Sequence, residues 1–295
     1  MIKYIKRKDI DVEKYDDCIE NSLQSRVYAF SWYLDIVADN WGVLVLDDYQ
    51  AVMPLPWRKK YGIKYVYPPF WVLELGVFSK KENLNLALFL KVLYKKNIFI
   101  ESRLNSDNTI KEDDKFLQLK KIQLLPIDNE YDVIFKNYRK DRRKDLLKAK
   151  KNKLTAKWKD HPNVLLDLFK NNVGKRISNI KASDYNNLKE VIQTCIKKQK
   201  GEVVSVYDAS EKVVASGFFL KHNKTITILV SSTDFKNRNN GANTFLIDTV
   251  INYYCKKAST FNFGGSSMET IAKYFLSFGS STYTYQQISK NFLKR

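Results

Sequence analysis

GVLVLDDYQAVMPLPW, residues 42–57, reads as a strand, an acidic turn and a second strand, and the chain repeats that statement at 201–220 as GEVVSVYDASEKVVASGFFL. In both copies two apolar runs flank residues that favour turns. The parallel then continues in the same order. After the first copy come KYVYPPFWVLELGVFS (64–79), an apolar-periodic helix ending LYKK at Lys96, and the strand-like NIFIES (97–102). After the second come KTITILVSS (224–232), a helix ending YYCKK at Lys257, and TFNFGG (260–265). The offset is 159 residues at Gly42/Gly201 and 160 at Tyr94/Tyr254, so one α/β unit is written twice without scattered insertions. Each unit is expected to be an antiparallel meander followed by a helix and another strand, with helical material before the meander.

The expected boundaries are a first unit over 1–130, a connecting basic helix over 131–151 and a second unit over 152–295. The alternation of Tyr283, Tyr285 and Ile288 predicts a strand near 282–290, a candidate to complete the first unit. A chain of 295 residues that is 44% hydrophobic can bury a core in each unit. Its three cysteines, Cys18, Cys195 and Cys255, are far apart, and His161 and His222 are the only histidines, so disulfide frameworks and zinc sites lack ligands. No metal is expected. The N-terminus shows no apolar export segment and no run is long enough to span a bilayer, which fits a soluble protein of the cytoplasm.

The formal net charge of +19 is uneven. Residues 136–160 hold twelve Lys or Arg against three Asp, a surface suited to an anionic partner such as tRNA or another polyphosphate. Within that helix Phe135, Tyr138, Arg142, Leu146 and Ala149 recur three or four apart, which sets Arg142 in an apolar stripe. A guanidinium there requires a partner, either a buried carboxylate or an anionic ligand. The segment FNFGGSSMETIAKYFLSFGS (261–280) puts two glycines and two serines where a strand hands over to a helix. Such a turn is either plain turn and cap chemistry or a row of backbone N–H groups for an anion or a developing oxyanion.

The order of elements resembles the GNAT acyltransferase fold, and two such units in tandem resemble the Fem-type aminoacyltransferases and FemAB-like acyltransferases. The local matches are NYRKDRRKDLLKAKK (137–151), like the family's basic helix, the strand, Gly-Ser turn and helix just quoted, and YPPFWVLELGVF (67–78), like its Pro-rich approach to a Leu-Gly turn. The implied fold is α/β (α+β), two GNAT-like units, each a mixed, largely antiparallel sheet flanked by helices. The implied activity is N-acyl transfer from acyl-CoA to an amine acceptor, by direct attack in a cleft between the units. The alternatives are a Fem-like aminoacyltransferase using aminoacyl-tRNA for cell-wall peptide precursors, and a noncatalytic binding module. The acceptor is a small or peptide-like amine.

The resemblance also assigns residues. Acyl-CoA would lie against Ser231 and Ser232, with its pyrophosphate on the loop Arg238, Asn239, Asn240, Gly241, Ala242, Asn243 and Thr244, although Asn243 stands where the family has glycine or alanine. The equivalent junction of the first copy has no glycine and places Glu82 near the helix start, where it would repel phosphate. Tyr274 lies near the family's leaving-group tyrosine, with Phe275 the closer match to its spacing from Gly279. Glu74, an acid among apolar residues, is the candidate base, since burial raises a carboxyl pKa. Gly264, Gly265 and Ser266, with the Arg142 guanidinium, are the candidate groups for the acceptor or for the carbonyl under attack.

Overall fold

The computed structural model describes residues 1–82, 84–110, 114–265 and 268–291. The chain divides into two compact units, Met1–Lys121 with Thr284–Arg295, and Ile122–Tyr283. The basic helix expected to connect the units lies wholly inside the second.

In the first unit β1 (Ile2–Lys6), α1 (Val12–Glu20), α2 (Ser31–Val37), β2 (Trp41–Leu46), β3 (Ala51–Lys60) and β4 (Ile63–Val66) lead to the short β5 (Phe78–Ser79), α3 (Leu86–Lys96), β6 (Phe99–Arg103) and β7 (Leu117–Pro126), which runs on into the second unit. The meander β1–β2–β3–β4 is antiparallel throughout, and β5 adds to β3. The crossover through α3 makes β6 parallel to β4, with Tyr65 opposite Phe99. A parallel neighbour needs such a helical return because a tight turn can only reverse the chain. On β6 lies the C-terminal strand (Ser281–Lys290), its residues Gln287–Lys290 antiparallel to Ile100–Arg103. Helix α3 drives Phe89, Leu90 and Leu93 into a core with Leu44, Met53, Leu55, Ile100 and Ile288. Each such side chain contributes about 2 kcal/mol by leaving water.

The second unit repeats the pattern. After α4 (Tyr131–Lys136) and α5 (Lys140–Lys151) come β8 (Thr155–Trp158), α6 (Pro162–Asn171) and α7 (Ala182–Lys197). The meander β9 (Gly201–Tyr207), β10 (Val213–His222), β11 (Thr225–Thr233) follows, then α8 (Ala242–Tyr254), β12 (Thr260–Asn262) and α9 (Glu269–Leu276). Strands β8 to β11 pair antiparallel in order, the crossover through α8 makes β12 parallel to β11, and β12 pairs antiparallel with Leu124–Pro126 of β7. The two crossovers, β4–α3–β6 and β11–α8–β12, are the same topological event. The doubled sequence pattern is thus a doubled fold, α/β in class with mostly antiparallel sheets.

Candidate functional site

Helix α5 begins after Arg139, and its lysines face solvent while Ala149 is 1% exposed. Two charges turn inward, Arg142 and Asp145. Arg142 has only 11% of its side chain exposed, as its place in the apolar stripe requires. Its Nη1 donates to Thr244 Oγ1 at 2.8 Å and pairs with Asp145 Oδ2 at 3.0 Å, while Nη2 reaches Asp141 Oδ2 at 3.4 Å. The guanidinium carbon stands 4.4 Å from the ring centroid of Tyr274 on α9. Of the two kinds of partner expected for it, a carboxylate or an anionic ligand, carboxylates are present, and the Thr244 hydroxyl at the start of α8 is a further partner.

Tyr274 is the second member of this centre. Its hydroxyl accepts from Asn243 Nδ2 at 2.9 Å and meets Thr244 Oγ1 at 3.2 Å. Thr244 Oγ1 lies 3.3 Å from Asp145 Oδ2, to which it donates. With its own proton on Asp145 and one lone pair taken by Arg142, Thr244 has one lone pair left, and it fits the Tyr274 proton. The result is an ordered chain, Tyr274 to Thr244 to Asp145. Burial raises the Tyr274 pKa above that of a free phenol, against the opposing effects of Thr244 and the Arg142 charge, so the group is neutral and proton-bearing near pH 7.

The loop before α8 is held from the other side. Gly241 adopts φ +85°, a left-handed conformation that glycine supplies without strain. A Cβ built there would come within 2.1 Å of the Asp145 carbonyl oxygen and 3.2 Å of the Ala149 nitrogen. Glycine is thus required for the close approach of the α5 backbone, and that backbone covers the start of α8. The first helical N–H, on Ala242, is taken by Asn240 Oδ1 at 2.9 Å, and Ala242 itself is 1% exposed. Arg238 and Asn239 are exposed on the Arg238–Asn240 turn, and the Arg238 guanidinium stacks on Phe235 at 4.6 Å. Ser231 and Ser232 lie on β11 opposite Gly217 and Ser216, and Ser232 Oγ donates to the Leu168 carbonyl at 3.3 Å.

Gly264 and Gly265 both adopt positive φ, 79° and 72°, at the end of β12. The Gly264 N–H is taken by Asn262 Oδ1 at 2.8 Å. Ser266, and with it the expected Ser266/Ser267 cap, lies outside the described residues. Beside this turn the Phe263 N–H donates to the Gln123 carbonyl, and the Gln123 side chain is fully buried with neither polar atom hydrogen-bonded among the described residues.

Glu74 belongs to the first unit, where it is 3% exposed in the loop between β4 and β5. Its Oε1 is 2.6 Å from Arg26 Nε and 3.4 Å from the Tyr28 hydroxyl, and its Oε2 accepts from the Ser106 N–H at 3.2 Å. Arg26 also reaches Asp107 at 2.9 Å. Both oxygens of Glu74 are engaged, so it stands as an ion-pair partner instead of a free base. The start of α3, capped by Asn85 at the Ala87 N–H, borders a cavity of about 680 Å³ whose lining includes Gln24, Lys81, Glu82 and Asp107.

Within the second unit the structure thus brings Arg142, Tyr274, Asn243 and Thr244 together. Asp145 and Asp141 escaped the sequence reading, although Asp145 sits three residues beyond Arg142, the spacing of neighbours on one helix face. Another residue it missed is Asp248, 8% exposed on α8, which accepts from the Tyr131 hydroxyl at 2.7 Å; burial raises its pKa to about 6, against the opposing hydrogen bond from Tyr131. Among the described residues no cluster of His, Cys, Asp or Glu could hold a metal, and no helix is long and apolar enough to cross a membrane.

These two units side by side in sequence define a class: the tandem GNAT fold of the Fem-like type. Solved structures share it over nearly their whole length. FemX is similar with a TM-score of 0.66 at 11% identity, covering 98% of both chains. L-PGS from Bacillus licheniformis is similar with a TM-score of 0.57 at 12% identity, over 96% of this chain and 92% of that one. A tandem GNAT protein from the clavulanic acid biosynthesis pathway gives 0.51 at 8% identity, over 99% of each. No family model and no curated protein matches the sequence.

Proposed function

We propose that the chain transfers an acyl or aminoacyl group to an amine, with Tyr274 as the acid that protonates the leaving atom. The observation that carries this reading is the Tyr274 hydroxyl, kept protonated by burial and connected through Thr244 to Asp145. The acceptor nitrogen attacks the donor carbonyl carbon, the tetrahedral intermediate collapses, and the bond to the donor's sulfur or oxygen breaks. The phenol proton passes to that leaving atom, the Asn243 amide that already donates to the Tyr274 oxygen holds the phenolate until water returns its proton, and the amine releases its own proton to water. Arg142 on the ring face stabilises the transient negative charge. In this reading Glu74 orders Arg26 and is not the base.

Acyl-CoA remains a donor for this chemistry, but the covered start of α8 favours aminoacyl-tRNA. A pyrophosphate on the Gly241 loop would have to displace the Asp145 carbonyl, whereas a tRNA carries a phosphate at every nucleotide and can meet the exposed lysines of α5 without using that loop. Titrating acetyl-CoA and total aminoacyl-tRNA against the protein at several salt concentrations tests the choice. Saturable tRNA binding that weakens steeply with salt is expected. Tight acetyl-CoA binding that Arg238→Ala abolishes would reverse it.

A further inference from the structure

The first unit ends, at one edge, in a feature that the transfer reaction does not use. Strands β3 and β4 are joined by Tyr61 and Gly62 at φ +50° and +78°, with Lys60 paired to Ile63 across the turn. Positive φ at both central residues is the tight hairpin turn that matches strand twist. Yet Tyr61 is 91% exposed and Ile63 47%. Because β6 runs parallel to β4 with Phe99 beside Tyr65, Ile98 falls at the same end of the sheet, and it is 55% exposed. Behind Tyr61 and Ile63 opens a cleft of about 530 Å³ lined by these two with Tyr65, Val66, Phe99 and Ile100, and with Glu101 its one acidic wall residue among those described.

Apart from Glu101, the charges around the tip are basic. Lys59 and Lys60 precede the turn, and Lys95 and Lys96 end α3 just before Ile98; among the described residues none of the four forms an ion pair. Lys60 Nζ lies 5.4 Å from the Tyr61 ring centroid, and Lys64 is held by the Tyr4 hydroxyl at 3.0 Å and the Trp57 ring at 4.5 Å. Single exposed apolar residues are ordinary, but an aromatic and two isoleucines at one end, ringed by unpaired lysines, form an amphipathic surface. An RNA would use the lysines and stack on Tyr61, but would find nothing to stack on in Ile63 or Ile98. A bilayer with anionic headgroups satisfies both sets, apolar side chains at the acyl boundary and ammonium groups among the phosphates.

We propose that this end of the first unit is a membrane-surface anchor, with Tyr61, Ile63 and Ile98 entering the interface of an anionic bilayer while Lys59, Lys60, Lys95 and Lys96 hold its headgroups. The test is sedimentation of the full chain with phosphatidylcholine vesicles, with and without a third of phosphatidylglycerol. Binding to the anionic vesicles alone is expected. Tyr61→Asn/Ile63→Ser should weaken it about tenfold, and Lys95→Gln/Lys96→Gln about 25-fold, since each lysine near such a surface is worth roughly fivefold. Asparagine suits the turn, and the lysine pair is exposed at a helix end, so both variants should keep the wild-type melting temperature. Lys144→Gln/Lys151→Gln on α5 should leave vesicle binding unchanged. Equal binding to neutral vesicles, loss that follows the α5 charges, or tip variants that lose tRNA binding while vesicles are never bound, would each overturn the anchor.

Discussion

The Arg142 guanidinium lies 4.4 Å above the Tyr274 ring while its Nη1 bridges Thr244 and Asp145, so one residue of α5 ties together the start of α8 and the face of α9. Removing it leaves Asp145 with only the half-exposed Lys148, at 3.1 Å, as a cation partner. Arg142→Ala should therefore destabilise the protein by about 2–3 kcal/mol, at or below the usual range for a broken buried pair because Asp145 keeps a fifth of its exposure. Arg142→Lys should lose roughly half as much, since an ammonium cannot bridge two acceptors and lie flat on a ring. Thermal melts check both. An unchanged melting temperature in Arg142→Ala would free the guanidinium for a purely ligand-binding role.

Gly241 and Gly62 share the left-handed conformation but not the surroundings. Around Gly62 no atom of the described residues lies within 4 Å of an added Cβ, whereas at Gly241 the Asp145 carbonyl oxygen would be 2.1 Å away. Gly62→Ala should cost about 1 kcal/mol from backbone strain alone, and Gly241→Ala at least about 3 kcal/mol, because the obstructing atoms are main chain. Equal losses in denaturant melts would mean that α5 can move off the α8 start without difficulty, and would reopen that loop to a phosphate.

Asp248 makes stability depend on pH in the direction opposite to a salt-bridged acid. Its folded pKa of about 6 exceeds the ordinary 3.8, so the folded state holds the proton more tightly. Its contribution is complete below pH 4 and is lost as pH rises through 6. Asp248→Asn should be more stable than wild type at pH 7.5, by up to about 3 kcal/mol, with the difference fading towards pH 4. Parallel melts of the two proteins across this window measure it. A constant difference would show that the carboxyl does not titrate there.

Much of the fold was legible because strands and helices write their periods locally. The runs from Gly42 and Gly201 alternate as strands must, and the helices ending at Lys96 and Lys257 carry apolar stripes, so the doubled unit could be read before any contact was known. Arg142 was legible as inward-facing for the same reason. Its partner Thr244 was not, being 102 residues away, and neither was the covering of Gly241, which depends on how closely two helices pack. A glycine that makes room for a neighbouring helix and a glycine that makes room for a phosphate look alike in sequence. Glu74 shows the converse. Its apolar neighbours predict burial correctly, but the ion pair with Arg26, 48 residues earlier, is a tertiary event.

Whether the chain is a transferase that uses Tyr274 as its acid is decided most directly by single-turnover transfer of labelled aminoacyl groups from tRNA, and of acetyl groups from acetyl-CoA, to a panel of primary amines. The wild type and Tyr274→Phe should be compared at matched, saturating donor. The wild type should form an amide product with one donor, and Tyr274→Phe should form it about 100-fold more slowly with donor affinity unchanged, the usual worth of a positioned proton donor. No transfer from either donor, or a Tyr274→Phe rate equal to that of the wild type, would contradict the account.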